Sequence, residues 1–316
     1  MKNNKQKIEL SAFELITESF ILIKNLSILQ LGSYYIGTLP FMIVFMFFWA
    51  SMSYNPLAQG NLMIYSMVLT ILFIWMKTWQ AIFTLNLKNR IYNKSISLNY
   101  KDFLRISRVQ LLTQPLGIIL IPLSFISLFL FPLFYSFQQN LTILSTNDEK
   151  ITDIRKKAWA FTGAEKKQNF LLTWLLSPYQ LTFGMILMLL IIPFIEKMYP
   201  EIPFYSLFPI GFILMLPLNP FGFTVAINIL LYIFQLPYLL KMFFGIESIF
   251  TISGPYFFNT TFVLVITVFT YLCLDPLIKA VYTLRCFYLE TRVNGDDIKI
   301  KLNRIIVQKE KKETGK

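Results

Sequence analysis

The chain of 316 residues is 55% hydrophobic and 17% aromatic, and its 29 Lys and Arg outnumber 17 Asp and Glu for a net charge of +12. So much apolar side chain leaves too little polar surface for a soluble domain. The absence of histidine excludes Ser-His-Asp triads, His-ligated zinc or haem and phosphohistidine relays; the two cysteines, Cys273 and Cys286, form no CxxC pair, so no metal or other cofactor is expected.

Five stretches contain no Asp, Glu, Lys or Arg: 25–76, 109–147, 168–195, 202–240 and 248–274. A bilayer core of ~30 Å takes ~20 apolar residues in a helix, so each is long enough to cross. The basic residues fall in blocks between these stretches, which reads as topology control and contact with an anionic lipid leaflet rather than nucleic-acid binding. Lys2, Lys5 and Lys7 resemble the start of a signal peptide, but Glu9, Glu14 and Glu18 interrupt it, so the N-terminus is expected to be retained.

Residues 8–31 read as an amphipathic helix on the membrane surface, begun by a Ser11-x-x-Glu14 capping box and stopped at Gly32. A first span is expected over 33–53 with a kink at Pro40, then a turn at Asn55-Pro56 and a second span over 62–87. Lys88, Arg90, Lys94, Lys101, Arg105 and Arg108 follow, against Asp102 alone, which places this loop in the cytoplasm. The stretch 109–147 is long for one span and short for two. A Pro-bent hairpin is favoured there, because it keeps the basic block at 150–168 on the cytoplasmic side. A span follows at 169–194, then two segments over 204–243 hinged at Asn219-Pro220, and a last span at 257–274. Asp275-Pro276 reads as a helix restart, with Asp as N-cap and Pro at the first helical position. The new helix, 276–292, is expected at the interface. Asn294-Gly295 makes a turn, 298–306 a basic amphipathic segment, and 308–316 a disordered end.

Few side chains stand out as functional candidates. Lys77 lies inside the second span between Trp75 and Trp79; it is either a functional group or a lysine snorkelling to the headgroups. Asn228 and Gln235 are seven apart and share a helix face, suited to a helix contact or to lining a path. Asp275 and Lys279 are four apart, and a helix cap with a surface ion pair accounts for them. Arg285 and Arg292 complete the candidates as the basic positions of the last helix. No paired carboxylates, P-loop, GxSxG or metal-ligand spacing occurs.

The segments PYLLKMFFGIESIF (237–250), DPLIKAVYTLRCFYLETRVNGDDIKI (275–300) and IRKKAWAFTGAEKKQNFLL (154–172) resemble a group of bacterial polytopic inner-membrane proteins. The general layout is similar to the membrane domain attached to some glycerophosphodiester phosphodiesterases. The residues that carry the likeness are Pro276, Tyr282, Arg285, Tyr288, Arg292, Gly295 and Asp296. The resemblance implies a membrane architecture and no enzyme activity, since the catalytic barrel with its His ligands is missing.

The expectation is therefore an all-α transmembrane bundle of six to eight membrane segments with interfacial amphipathic helices. It comprises an N-terminal cytoplasmic interfacial helix (1–32), a transmembrane domain (33–292) and a basic cytoplasmic tail (293–316). Function is expected to be that of a non-catalytic scaffold or complex subunit of the inner (plasma) membrane, with both termini cytoplasmic. Its expected partners are anionic lipids and a membrane or cytoplasmic protein, homo-oligomers being compatible. The alternative is a transporter or lipid-handling protein for an apolar solute, which uses 109–147 and 204–243 as bent, cavity-lining segments. The long apolar stretches offer no buried acid for ion coupling.

Overall fold

A computed structural model describes residues 10–92, 98–124, 130–177, 220–245 and 260–294, with the isolated positions 194, 197 and 198. The helices are α1 (Ala12–Lys24), α2 (Ile28–Tyr54), α3 (Leu62–Ile91), α4 (Tyr100–Thr113), α5 (Pro115–Ser124), α6 (Phe131–Leu144), α7 (Ile151–Gly163), α8 (Lys166–Leu176), α9 (Pro220–Phe244) and α10 (Thr260–Asn294). A 3₁₀ turn, Ala58–Asn61, leads into α3. The described residues contain no strand. Three helical segments are long and apolar enough to cross a membrane: Ile28–Tyr54, Ala58–Ile91 and Leu264–Thr291. This is a helical membrane protein.

The spans α2 and α3 form an antiparallel hairpin, shown by the ring pairs Tyr34–Phe83, Phe41–Phe73 and Phe48–Tyr65 along its length. Its close approach is set at Gly37, where an added Cβ would collide with Cβ of Trp79. Helix α10 runs parallel to α3, since Gln80 bonds Tyr271 and Leu87 packs in one cluster with Ala280. Most of its membrane-length window is buried, 67%, against 17% and 11% for the other two segments. Helix α10 is thus the central post, while the hairpin exposes Ile43, Phe47, Met63 and Ile71 as lipid-compatible surface.

The chain's first break is not at Gly32. Helix α1 ends at Lys24 and α2 begins at Ile28, capped by Ser27, whose Oγ accepts from the Gln30 N–H while Gln30 Oε1 accepts from the Ser27 N–H. This second capping box restarts the helix, and a lone glycine inside it costs only ~1 kcal/mol. The first box, between Ser11 and Glu14, forms at 2.7 and 3.2 Å.

Asp275-Pro276 is not a restart either. Helix α10 runs through it for 35 residues with Pro276 inside, and residues 274–287 are buried rather than interfacial. Proline removes the N–H that would bond the carbonyl four residues back, which here is Leu272. Tyr35 of α2 donates its hydroxyl to that carbonyl at 3.3 Å. The same arrangement recurs at Pro40 inside α2: its orphan is the Ile36 carbonyl, and Trp75 Nε1 of α3 donates to it at 3.4 Å. Each proline is tolerated because an aromatic donor from the neighbouring helix replaces the lost bond.

The stretch 109–147 folds back on itself. Gln110 Nε2 donates to Ser145 Oγ at 2.6 Å, Gln114 Nε2 to Thr142 Oγ1 at 3.1 Å, and Gly117 faces Gln138, a falling-and-rising register that only an antiparallel pair gives. At 1.5 Å per residue, α6 with its 14 residues reaches roughly 21 Å, less than a bilayer core; α5 is described as far as Ser124. Helix α6 is buried by protein on nearly every face, including its polar side chains Gln139, Asn140 and Thr142. Of the other expected segments, 169–194 is described to Ser177, 204–219 lies outside the described residues, and the later segment begins at Pro220 as α9. The tail beyond Asn294 also lies outside them.

Candidate functional site: buried charges on the central helix

The C-terminal ends of α3 and α10 and the N-terminal end of α2 meet at one end of the bundle, and α10 carries charge into that end. Asp275 and Lys279 are each 1% exposed and 3.8 Å apart. Asp275 Oδ2 accepts from Tyr34 Oη of α2 at 2.8 Å, and Lys279 Nζ donates to Gln139 Oε1 of α6 at 2.6 Å. A surface pair with a helix cap does not describe these residues: both sit in the core because Pro276 fails to end the helix.

One turn further on, Tyr282 Oη bonds Asn169 Oδ1 at 3.0 Å and stands 3.1 Å from Thr173 Oγ1, both on α8. Arg285, 1% exposed, closes the C-terminal end of α7: its Nη2 donates to the Phe161 carbonyl at 2.9 Å and to the Ala164 carbonyl, and its Nε to Gln168 Oε1 at 3.3 Å. A cation placed on the last carbonyls of a helix meets the negative end of its dipole. Cys286 donates to Asn140 Oδ1 at 3.4 Å, and Asn140 Nδ2 in turn donates to Thr162 Oγ1 of α7 at 3.1 Å.

Two further lysines converge on this end. Lys88 of α3 is 8% exposed and donates to the Ile143 carbonyl, Thr146 Oγ1 and Asn147 Oδ1 at 3.0–3.3 Å. Lys157 of α7 bridges Glu149 at 3.1 Å and Glu290 at 3.0 Å. Partial burial pulls the Lys157 ammonium down, but the hydrogen bonds and charges of Glu290 and Glu149 outweigh it and hold it above its ordinary value of 10.5.

The other sequence candidates lie apart from this centre or at its edge. Lys77 is part-buried, donates to Gln80 Oε1 at 3.3 Å and lies 5.6 Å from the Phe73 ring centroid. Gln80 passes the contact on to Tyr271 of α10 at 3.0 Å. Asn228 is exposed on α9 and bonds the Thr224 carbonyl of its own helix at 2.8 Å; Gln235 is exposed. Neither joins α10 through a described bond. Arg292 is in the last turn of α10, with its side chain outside the described residues.

Compared with models of protein families, with curated proteins and with solved structures, the chain matches none.

Sequence reasoning missed Tyr34, Lys88, Gln139, Asn140 and Lys157 as members of this centre. One signal was available: FPLFYSFQQNLTILSTN is polar on several faces of a helix, which suits a segment surrounded by protein and not by lipid. The expectation that no buried acid exists is overturned by Asp275, placed just beyond the apolar stretch in sequence and inside the bundle in space. Among the described residues no three His, Cys, Asp or Glu side chains converge as metal ligands. Chemically, the centre presents a fully buried carboxylate bonded to α2, with Lys279 and Lys88 bonded to α6 and the turn after it and Arg285 to the end of α7. Such an arrangement clamps helices together by fixing their register.

Proposed function

We propose that the chain is a non-catalytic scaffold or complex subunit of a bacterial inner membrane, crossing it six to eight times with both termini cytoplasmic. The observation that supports this most is the engagement of the α10 charges: Asp275 with α2, Lys279 with α6 and Arg285 with the end of α7. Groups so fully engaged suit a rigid platform better than a site that must exchange partners. The positive-inside rule turns the Lys88, Lys157 and Arg285 end toward the cytoplasm. There α1, α4 and α7 act as interfacial helices facing anionic lipids and a membrane or cytoplasmic protein partner. In this reading Tyr282 and Arg285 serve to join α10 to α8 and to the end of α7.

A second reading, a carrier for an apolar or lipid-like solute, is favoured by one feature. The folded-back pair α5 and α6 has the broken-helix form that transporters use to line a path, and it lies beside the buried Asp275–Lys279 pair through Gln139.

Purification of a tagged copy from native membranes in mild detergent, with mass spectrometry of what accompanies it, separates the two. A stoichiometric protein partner is the expected result. A chain that emerges alone with one enriched apolar solute or lipid in a defined ratio would replace the scaffold reading by the carrier.

A further inference from the structure

We propose that the outward face shared by α4 and α7 is a binding site for the headgroups of anionic phospholipids. This rests on the reading of α4 and α7 as interfacial helices and names the residues that would meet the lipid; it holds equally for a scaffold or a carrier, since it depends only on how these two helices meet the membrane surface.

On α4 the exposed stripe runs through Leu104, Arg108 and Leu111, at the three- and four-residue spacing of one helix face. On α7 the exposed Trp159 stands four residues from Arg155 and three from Lys156, both exposed, so each cation neighbours the indole. The two helices are joined where Arg155 Nη2 donates to the Leu112 carbonyl at the end of α4 at 2.7 Å, and Val109 of α4 shares a buried cluster with Ile154 and Ala158 of α7. The result is one surface on which cations alternate with large apolar groups: Leu104 is 49% exposed, Leu111 52% and Trp159 53%.

Alternation of this kind fits a boundary between an apolar and an anionic phase. The apolar groups enter the acyl region while Lys and Arg meet phosphates above it. A nucleic acid would supply the anionic phase without the apolar one. The position agrees, since α4 follows the candidate span α3 after only eight residues, 92–99. The nearby acids do not neutralise the face. Asp102 and Asp148 are taken by Arg105 at 3.6 and 2.8 Å, and Glu149 by Lys157. Asp153 is exposed on α7 and leaves the cations in excess. Among the described residues, neither Arg108 nor Lys156 has an ion pair.

The test uses the full chain, delipidated in detergent and titrated with phosphatidylglycerol or phosphatidylcholine, the lipids retained being counted by native mass spectrometry. Wild type is expected to retain phosphatidylglycerol about tenfold better than phosphatidylcholine, and the double variant Arg108→Gln/Lys156→Gln to lose that preference. This variant leaves the Arg155–Leu112 link in place, and an unchanged melting temperature shows that it folds. Lys166→Gln/Lys167→Gln removes the same charge from exposed positions of α8 and is expected to keep the preference. The proposal is overturned if the α4–α7 variant retains phosphatidylglycerol as wild type does, or if the α8 variant loses it equally. It is also overturned if millimolar inorganic phosphate displaces the lipid, which would make the ligand a soluble phosphate.

Discussion

Asp275 and Lys279 show how far a residue's meaning depends on its surroundings. On an exposed helix an i, i+4 pair contributes a few tenths of a kcal/mol. In the core, each charge has given up water, and removing one partner strands the other. Asp275→Asn alone should therefore lower stability by about 3–5 kcal/mol, whereas Asp275→Asn with Lys279→Met should recover most of that loss. Denaturant or thermal unfolding of the detergent-solubilised protein reads both. Equal losses in the single and double variants would mean that the pair does not act as a unit. Lys157 tests the periphery of the same centre. Its ammonium is held above 10.5 by Glu290 and Glu149 in spite of partial burial. Its contribution is therefore fully present below the unfolded value near 10.5 and is lost as pH rises through the higher folded value. The stability gap between wild type and Lys157→Gln should be constant from neutral pH to about 10 and close above that. A gap that instead closed toward acid would assign the effect to the carboxylates.

At the scale of the element, α2 and α10 run through Pro40 and Pro276 without ending there. The unpaired carbonyls at Ile36 and Leu272 are met by Trp75 and Tyr35 from the facing helix. Proline and donor should thus be coupled. Tyr35→Phe should cost about 0.5–1.7 kcal/mol in the native sequence and close to nothing in a Pro276→Ala background, where the restored Ala N–H serves the Leu272 carbonyl itself. A double-mutant cycle measures this directly, and zero coupling would reduce the 3.3 Å contact to coincidence. Helix α6 carries the complementary lesson. It is too short to cross a bilayer, and its polar side chains Ser136, Gln139 and Asn140 are taken up by α8, α10 and α7, and Thr142 by Gln114. It behaves as a soluble-protein core helix placed inside a membrane bundle.

At the scale of the whole molecule, the charges of α10 gather toward the same end of the bundle as Lys88 and Arg90 of α3. The tip of the α2–α3 hairpin, around Gln59, is the opposite pole and is exposed. Single cysteines at Gln59 and at Lys156, in a Cys273→Ser/Cys286→Ala background, should react with an impermeant thiol reagent from opposite sides of the membrane. In intact cells Gln59→Cys is expected to label and Lys156→Cys to be protected until the membrane is opened. Labelling of both in intact cells would refute the proposed orientation.

Apolar run length and the absence of charge over 25–76 and 248–274 determined by themselves that the chain is a helical membrane protein, because no other solvent accommodates such segments. Local chemistry also determined the Ser11 capping box, which depends on neighbours in sequence. The tertiary structure alone decided which polar residues are buried. Whether Asp275-Pro276 ends a helix depends on Tyr35, 241 residues away from Pro276 in sequence, and whether Gln139 faces lipid or Lys279 depends on how α6 docks against α10. Hydropathy averages over a segment and is blind to such pairings. A polar group in a bilayer is tolerable once another helix satisfies it, so its position in sequence reveals its polarity but not its partner.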